Sequence, residues 1–369
     1  MPPSAARRLE RAADTMLRMI ATRILRRPRV LIVGCGDVGL RTLPLFHARA
    51  ARPRVIALTH HPERAAELRA AGALPIPGDL DARRSLARLA GIARHVLHLA
   101  PPQRDGDTDR RTRALLAALR APRRSVARGA HAATAARSAW RNPSFIVPDA
   151  LFGATSAIAS RNDSVRFVYA STTGVYGDCR GAEIDETRPV RPGNERARRR
   201  ASAEQQLRDA GVQSGWRVSI VRIPGIYAED RLPRARIERA MPALIARDDV
   251  YTNHIHADDL AAIIVRALMR GKPQRAINAS DDTDLRMADY FDRVADACGL
   301  PRVPRITREE AEARLEPVTL SFMRESRRLR NERLKRELGY ALRYPTVDDF
   351  LRERIRVHAG AARDADTPR

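Results

Sequence analysis

Short apolar runs alternate with longer amphipathic stretches along most of the chain. Strand-like runs rich in Val, Ile and Leu occur at Arg29–Val33, Arg54–Thr59, His95–Ala100, Arg166–Ala170 and Arg217–Arg222. Stretches with helical spacing of apolar residues lie between them, among them Pro62–Ala71 and Thr108–Leu119. Buried strands separated by helices of this length are typical of a parallel sheet covered on both faces. The pattern therefore predicts a doubly wound α/β fold.

The predicted domain organisation follows from where this alternation stops. Residues 29–222 form a domain built on the parallel sheet, and residues 223–355 form a smaller, mostly helical lobe with a strand returning near 251–256. Residues 121–163 are rich in Ala, Arg and Ser without a clear period. We interpret them as an insertion, because the connection from a helix to the next strand is usually short. Residues 356–369 are predicted to be a disordered tail.

An arginine-rich stretch, residues 1–28, precedes the first predicted strand. Leu17, Ile20 and Leu25 fall roughly on one side of a helix, and such a helix is able to lie on an anionic membrane surface. The stretch lacks the apolar core of a secretory signal, and its acidic residues argue against a transit peptide. We interpret it as a basic N-terminal extension.

Apolar and cysteine residues restrict the class of protein. Hydrophobic residues make up 44% of the 369 residues, which is enough for a folded core, yet no apolar stretch approaches the length of a membrane span, roughly 18–20 residues. Cys35, Cys179 and Cys298 are scattered, without the spacing of a metal site or of a disulfide framework. These features predict a cytoplasmic protein with no membrane span and no bound metal.

The net charge of +24 raises the alternative of a nucleic-acid partner, since positive charge attracts polyanions at low salt. Of the 68 basic residues only Lys272 and Lys335 are lysine, so 66 are arginine. This skew, together with abundant alanine, indicates a compositional bias rather than a ligand, and no nucleic-acid-binding motif accompanies it. We expect no specific nucleic-acid partner.

A glycine loop follows the first predicted strand and precedes a predicted helix. Gly34, Gly36 and Gly39 have the G-x-G-x-x-G spacing, with Asp37 and Val38 inside it. The first glycine allows a tight turn, the second lets the backbone approach a pyrophosphate, and the third allows close packing of helix on strand. The helix N-terminus then supplies amide donors to phosphate. The spacing in this context predicts a dinucleotide-binding site; a tight turn without a ligand is the alternative.

The end of the second predicted strand indicates which dinucleotide is preferred. An NAD site usually places Asp or Glu there to bond the ribose 2′-hydroxyl. This chain has Thr59 and His60 instead, followed by His61, and Arg64 lies one turn further on. These residues would not repel a 2′-phosphate, so the sequence favours NADP and leaves NAD open. Solvated loop histidines are the alternative interpretation.

Further segments resemble a known family, and they occur in its order along the chain. These segments are Gly78–Leu80, His98–Ala100, Ser171–Gly177, Ile223–Tyr227, Ile255–Leu260 and Asn331–Gly339. Together they resemble the extended, epimerase/dehydratase branch of the short-chain dehydrogenase/reductase superfamily, and the glycine spacing is similar to that of its atypical members. The resemblance implies a Rossmann fold in which Asp79 and Leu80 lie beside the adenine and Leu99 and Ala100 also contact the cofactor.

One departure from this family concerns catalysis. The resemblance implies a catalytic Tyr-x-x-x-Lys, but Arg196 stands at the tyrosine position and Arg200 at the lysine position. Arginine stays protonated, so Arg196 is unable to act as a general acid. Arg200 is predicted to bond the ribose or a phosphate in place of the lysine. Thr172 matches the family's catalytic Ser/Thr.

Tyr176 is a candidate substitute proton donor, with a packing role as the alternative. In the matching segment His256 is expected to organise the turn into the next helix rather than to act as a base. His254 and Asn253 are expected near the place where substrate enters. The alternative is that they are polar residues without a role in binding.

The resemblance implies an NAD(P)-dependent oxidoreductase that transfers hydride to or from an unknown small polar substrate. The missing Tyr-Lys pair motivates the alternative of a non-catalytic NADP sensor or regulatory protein. A small molecule is the expected partner, and the sequence leaves open whether the protein forms a homodimer.

Overall fold

The computed structural model describes residues 27–121 and 164–355. The predicted tail, almost all of the predicted extension and almost all of the predicted insertion lie outside these residues. In chain order the strands are β1 (Arg29–Val33), β2 (Arg54–Thr59), β3 (Leu74–Pro77), β4 (His95–His98), β5 (Arg166–Thr172), β6 (Glu183–Ile184), β7 (Arg217–Ile223), β8 (Gly225–Tyr227), β9 (Ala243–Leu244), β10 (Tyr251–Thr252), β11 (His254–His256), β12 (Arg275–Asn278), β13 (Leu285–Arg286), β14 (Arg305–Ile306) and β15 (Arg328–Leu329).

The α-helices follow the same order. They are α1 (Asp37–His47), α2 (Ala65–Ala70), α3 (Arg110–Arg120), α4 (Glu195–Ser214), α5 (Arg234–Glu238), α6 (Ala257–Arg270), α7 (Met287–Cys298), α8 (Arg308–Arg314), α9 (Pro317–Met323) and α10 (Glu332–Leu338), and residues 347–355 are also helical. Short 3₁₀ turns include Pro62–Arg64, Arg83–Leu89, Thr173–Tyr176 and Glu229–Arg231. No helix within the described residues is both long and apolar enough to cross a membrane.

Seven parallel strands form the central sheet in the order β12-β7-β5-β4-β1-β2-β3. Along β1, Val30 and Ile32 belong to the apolar core on one face, and Leu31 and Val33 to the core on the other. A strand buried on both faces needs a continuous apolar run, which is the pattern that predicted it. The predicted doubly wound α/β fold is confirmed.

Helices cover both faces of the sheet. On one face α1, α6 and α10 contribute to the core, and on the other α3 and α4 do so together with the turn Arg83–Leu89. The chain leaves β1 toward β2 on one side and later enters β4 on the other, so the strand order reverses between β1 and β4. Ligands of open α/β sheets bind at the carboxyl ends of the strands beside such a reversal.

The boundary between sheet domain and lobe differs from the predicted one. Residues of the predicted lobe, 223–355, return to the sheet: α6 packs against α1, and β12 extends the sheet beside β7. The cause is the broad apolar face of α6, where Leu260, Ile263 and Ile264 are fully buried and need the sheet as a partner. The lobe proper has its own core, formed by Tyr227, Ile237, Phe291, Val294, Val347 and Phe350 among others.

Candidate functional site

Two clefts lie at the carboxyl ends of the central strands. The first, a cavity of about 360 Å³, is formed where β1, β2 and β4 end. Its lining includes Gly34, Gly36, Thr59, His60, Asp79, Leu80, Leu99 and Ala100. The structure therefore brings most of the predicted cofactor residues together at the reversal of strand order. Asp37, Val38 and Gly39 belong to α1 instead, behind the loop.

The glycines of the loop differ in the space around them. Gly34 has φ +84°, and a Cβ there would lie 2.5 Å from the backbone nitrogen of Ala100, so only glycine fits this turn. A Cβ on Gly39 would lie 3.2 Å from the Cys35 sulfur. A Cβ on Gly36 would meet nothing within 4 Å among the described residues. The start of α1 therefore has open space in front of Gly36.

The negative charge beside this loop is balanced by two arginines. Asp37 is the first residue of α1, and its carboxylate lies 2.9 Å from Arg41 Nε and 3.0 Å from Arg231 Nε. Arg41 also bonds Asp258 Oδ1 at 2.6 Å. These ion pairs connect α1 with α6 and with the turn Glu229–Arg231. Two guanidinium groups therefore offset the charge of Asp37 beside the glycine loop.

At the end of β2 the polar groups are largely engaged with one another. The backbone nitrogen of His61 donates to Thr59 Oγ1 at 3.1 Å. Arg64 donates to both carboxylate oxygens of Glu67 at 2.9 Å and to the Cys35 carbonyl oxygen at 2.9 Å. Arg64 thus ties the segment after β2 to the glycine loop, and Glu67 offsets its charge. The position next to Thr59 holds no carboxylate, as the sequence shows.

The second cleft, about 320 Å³, lies where β5 and β7 end, between α4 and the lobe. Its lining includes Thr172, Asn194, Arg196, Arg200, Asn253, Tyr251, Phe322, Glu325 and Arg327. Thr172 Oγ1 accepts a hydrogen bond from the Gly174 backbone nitrogen at 3.3 Å, which fixes the hydroxyl at the turn after β5. Two of the predicted site residues, Thr172 and Arg200, therefore face this cleft.

Arg200, in the lining of the second cleft, is held by hydrogen bonds to the end of β5. Its Nη1 donates to the Ala170 carbonyl oxygen at 2.6 Å and to the Tyr169 hydroxyl at 3.2 Å. Burial, with a smaller contribution from the charge of Arg200, lowers the pKa of His98 at the end of β4 to about 3. Arg200 therefore lies near the ends of both β4 and β5, on an element that reaches the second cleft.

Arg196 stands where the family resemblance implies the catalytic tyrosine. Its guanidinium carbon lies 4.9 Å from the ring centroid of Phe322, a residue of α9 in the lobe. This cation–π contact bridges the sheet domain and the lobe across the cleft. Arg196 offers positive charge there, but it supplies no transferable proton.

Tyr176 lies outside both sets of lining residues. Its side chain is buried, and its hydroxyl donates to Asn278 Oδ1 at 2.7 Å. Burial raises its pKa to about 12. The structure therefore does not bring Tyr176 to the cleft that contains Thr172, and its contact with β12 is the packing role stated as the alternative.

The candidate histidines have structural contacts. His256 Nδ1 accepts the backbone N–H of Asp258 at 3.2 Å, so His256 caps α6 and Asp258 lies in its first turn. His254 is buried, its ring stacks on Tyr290 with 4.0 Å between centroids, and burial lowers its pKa to about 3. Asn253 lines the second cleft and bonds the backbone of Arg327 and Leu329.

Sequence reasoning missed Tyr251, Glu325 and Arg327. Tyr251 lines the second cleft, and the guanidinium carbons of Arg328 and Arg286 lie 5.0 and 5.6 Å from its ring centroid. Glu325 accepts from Asn194 Nδ2 at 3.2 Å and from Arg327 Nη1 at 2.9 Å. The segment around residue 325 matches none of the quoted motifs, so only the fold reveals these residues. The described residues contain no cluster of metal-ligating side chains.

A buried ion pair lies beneath the second cleft. Arg222 near the end of β7 donates to Glu204 of α4 through Nη2 at 2.7 Å and through Nε at 3.1 Å. Ser171, next to Thr172, donates to the same carboxylate at 2.7 Å. The side chains of Arg222 and Glu204 are only 4% and 5% exposed. This network fixes the end of β5 from which Thr172 projects.

Comparison with known proteins adds to this geometry. A model of the NAD dependent epimerase/dehydratase family matches residues 30–280. Human dTDP-D-glucose 4,6-dehydratase is 27% identical over 128 residues, which is 32% of this chain and 37% of that protein. The bovine protein of the same name is likewise 27% identical, over 36% of its length. The chain thus matches about a third of the length of these curated relatives.

Solved structures share the fold over most of the chain. A functionally unknown conserved protein from Silicibacter pomeroyi has a TM-score of 0.62 and 24% identity, over 92% of this chain and 100% of that one. UDP-glucose 4-epimerase from Thermotoga maritima with UDP-glucose has a TM-score of 0.62 and 14% identity, over 90% and 99%. dTDP-glucose 4,6-dehydratase from Bacillus anthracis in complex with NAD has the same TM-score and identity, over 90% and 97%.

Proposed function

The chain belongs to the NAD dependent epimerase/dehydratase family, and we propose that it is an oxidoreductase that uses NADP in preference to NAD, since Thr59 and His60 stand where an NAD site usually has a carboxylate. The nicotinamide of such a cofactor accepts or donates a hydride when it is bound. The observation that carries the proposal is the arrangement of two clefts at the carboxyl ends of the central strands, the first lined by the glycine loop and the second by Thr172 and Arg200. The family match does not favour the alternative of a non-catalytic sensor.

The glycine loop supports the assignment of the first cleft to the cofactor. The space in front of Gly36 would take the pyrophosphate, and Asp79 and Leu80 would lie beside the adenine. Thr59 and His60 would face the ribose without a carboxylate to repel a 2′-phosphate. Leu99 and Ala100 would form the wall on the β4 side.

The charges of the second cleft favour an anionic substrate. Glu325 is paired with Arg327, which leaves the positive charges of Arg196 and Arg200 in the lining without a matching carboxylate among the described lining residues. The volume is typical of a small-molecule pocket. A sugar nucleotide, the class of ligand named for the Thermotoga maritima structure, carries a suitable diphosphate, and it is the first substrate class to test.

Arginine is unable to replace the proton-donating tyrosine, so another hydroxyl is required. We infer that Thr172 orients the substrate and that Tyr251, the tyrosine among the described lining residues, supplies or removes the proton.

The three thiols, all free, fit a reducing cytoplasm. A homodimer stays a prediction.

The cofactor preference is testable by thermal shift. NADP⁺ is expected to raise the melting temperature more than NAD⁺ at equal concentration, because tighter binding to the native state stabilises it more. His60→Asp should reverse the order, because a carboxylate repels the 2′-phosphate and bonds the free ribose hydroxyl. Gln213→Asp, an exposed substitution with the same change in charge, should leave the order unchanged. NAD⁺ preference in the wild-type protein would contradict the proposal.

The catalytic assignment is testable by hydride transfer, followed at the nicotinamide absorbance across a panel of sugar nucleotides. Thr172→Val is expected to lower kcat by about 100-fold, a loss typical of a misplaced proton-transfer geometry, whereas Thr172→Ser retains the hydroxyl and most of the activity. Tyr251→Phe should also lower kcat, whereas Tyr176→Phe should mainly lower stability. Tight cofactor binding without any turnover on the panel would instead support the sensor alternative.

A further inference from the structure

A separate cavity lies at the opposite edge of the central sheet, where β1 and β2 begin. It has a volume of about 830 Å³. Basic side chains dominate its lining: Arg27, Arg29, His47, Arg52, Arg54 and Arg69. We call it the arginine pocket. Both clefts described above lie at the carboxyl ends of the strands, so the sheet itself separates this pocket from them.

The charge of the arginine pocket is uncompensated within the described residues. Its lining contains no Asp or Glu. The chain has no acidic residue between Asp37 and Glu63, the stretch that contributes His47 and residues 52–55 to the lining. Elsewhere arginines are commonly paired, as Arg222 is with Glu204 and Arg305 with Asp292. Several like charges around one concavity repel one another, so an anion that enters is stabilised by all of them.

Backbone geometry holds the walls in place. Gly72 has φ +87°, and a Cβ there would lie 2.3 Å from His47 Cε1, so the His47 ring packs directly on the turn before β3. Arg52 adopts a positive φ of 35° in the turn before β2. The backbone nitrogen of Arg54 donates to the Pro28 carbonyl oxygen at 2.8 Å and fixes the two strand starts side by side. The backbone that carries these side chains, all of them exposed, is therefore held in place.

The chemistry of the lining points to linked phosphates. Guanidinium groups bond phosphate oxygens in a bidentate manner, and arginine is better suited to this than lysine. The volume lies within the range of pockets for small molecules, and a concave site does not fit the flat surface of a membrane. Apart from His47, no aromatic ring is among the described lining residues, so the pocket offers little surface for base stacking.

We propose that the arginine pocket is a second ligand site that binds an oligophosphate, a small anion with several phosphates in series. Each phosphate would bond guanidinium groups from more than one of the elements that begin at this edge. The site lies beyond the proposed oxidoreductase function and does not depend on it.

The test uses the full chain and inorganic tripolyphosphate as the probe, titrated by calorimetry with and without saturating NADP⁺. Saturable binding that NADP⁺ does not displace is expected. Arg54→Gln combined with Arg69→Gln should weaken it by about 10-fold or more, because charge-assisted bonds are lost. Arg239→Gln combined with Arg247→Gln removes the same charge from exposed positions in the lobe, and it should change the affinity by less than about 2-fold.

Several results would overturn the proposal. Equal weakening in both double variants would show that bulk charge attracts the probe, and displacement by NADP⁺ would place it in the cofactor cleft. Absence of saturable binding would exclude the site. A single-stranded RNA oligonucleotide could bind more tightly than tripolyphosphate with the same dependence on Arg54 and Arg69. That result would show that the arginine pocket is part of a nucleic-acid-binding surface and not a site for a small anion. If NADP⁺ does not bind, the proposed function fails, but the titration of tripolyphosphate without NADP⁺ still tests the arginine pocket.

Discussion

Arg222→Met is expected to lower the free energy of unfolding by about 3–5 kcal/mol, the range for breaking a buried ion pair from one side. The substitution leaves the Glu204 carboxylate buried, with the Ser171 hydroxyl as its remaining side-chain donor among the described residues. An uncompensated buried charge is far more costly than the lost contact itself, because the folded protein has to keep the carboxylate out of water or bind a proton.

Urea unfolding measures this effect, and two further variants identify its cause. The double variant Arg222→Met with Glu204→Gln should recover much of the loss, because no buried charge is left. Arg302→Met removes an ion pair of similar geometry, in which Arg302 Nη2 lies 2.7 Å from Asp296 Oδ2. These two side chains are 62% and 50% exposed, so the free energy of unfolding should fall by less than about 1 kcal/mol. Equal losses for the buried and the exposed pair would contradict the explanation.

Gly36→Val is expected to abolish NADP binding while the protein stays folded. The position has φ −83° and open space around its missing Cβ, so valine fits the protein without its ligand. The valine side chain would fill the space proposed for the pyrophosphate, and an affinity loss of at least about 100-fold, close to 3 kcal/mol, is expected. Fluorescence titration with NADPH measures the affinity, and thermal unfolding checks the fold.

Gly34→Ala provides the contrasting variant. Its Cβ would collide with the Ala100 backbone, and φ +84° is strained for any residue with a side chain, so this substitution should lower the melting temperature as well as the affinity. If Gly36→Val instead bound NADPH normally, the glycine loop would not be the cofactor site.

The strands that the sequence predicts correctly are those buried on both faces, because such strands require continuous apolar runs. The predicted strand His95–Ala100 ends two residues early in the structure, since the backbone nitrogens of Leu99 and Ala100 both donate to the Val33 carbonyl oxygen and turn out of the ladder. The edge strands β3 and β12 have only four residues each, and β3 contains two prolines, so neither has a recognisable pattern.

The two clefts differ in how far sequence predicts them. The first is built from residues adjacent to strand ends, and a local motif places Gly34 and Gly36 there. The second combines α4 with Tyr251 and Glu325, which are distant in the sequence and meet only through tertiary packing. The hydrogen bond between Tyr176 and Asn278 is likewise invisible to sequence periodicity, because Asn278 belongs to β12, the last strand of the central sheet along the chain.

That last strand affects the order in which the protein is able to fold during synthesis. β12 ends at residue 278 and pairs with β7, which ends more than fifty residues earlier in the chain. Until a ribosome has released β12, β7 is an unprotected sheet edge with free backbone donors and acceptors, which is a template for aggregation. Fragments expressed only as far as residue 223, the end of β7, should therefore be insoluble, whereas a useful fragment has to extend through β12 and the helix that covers it.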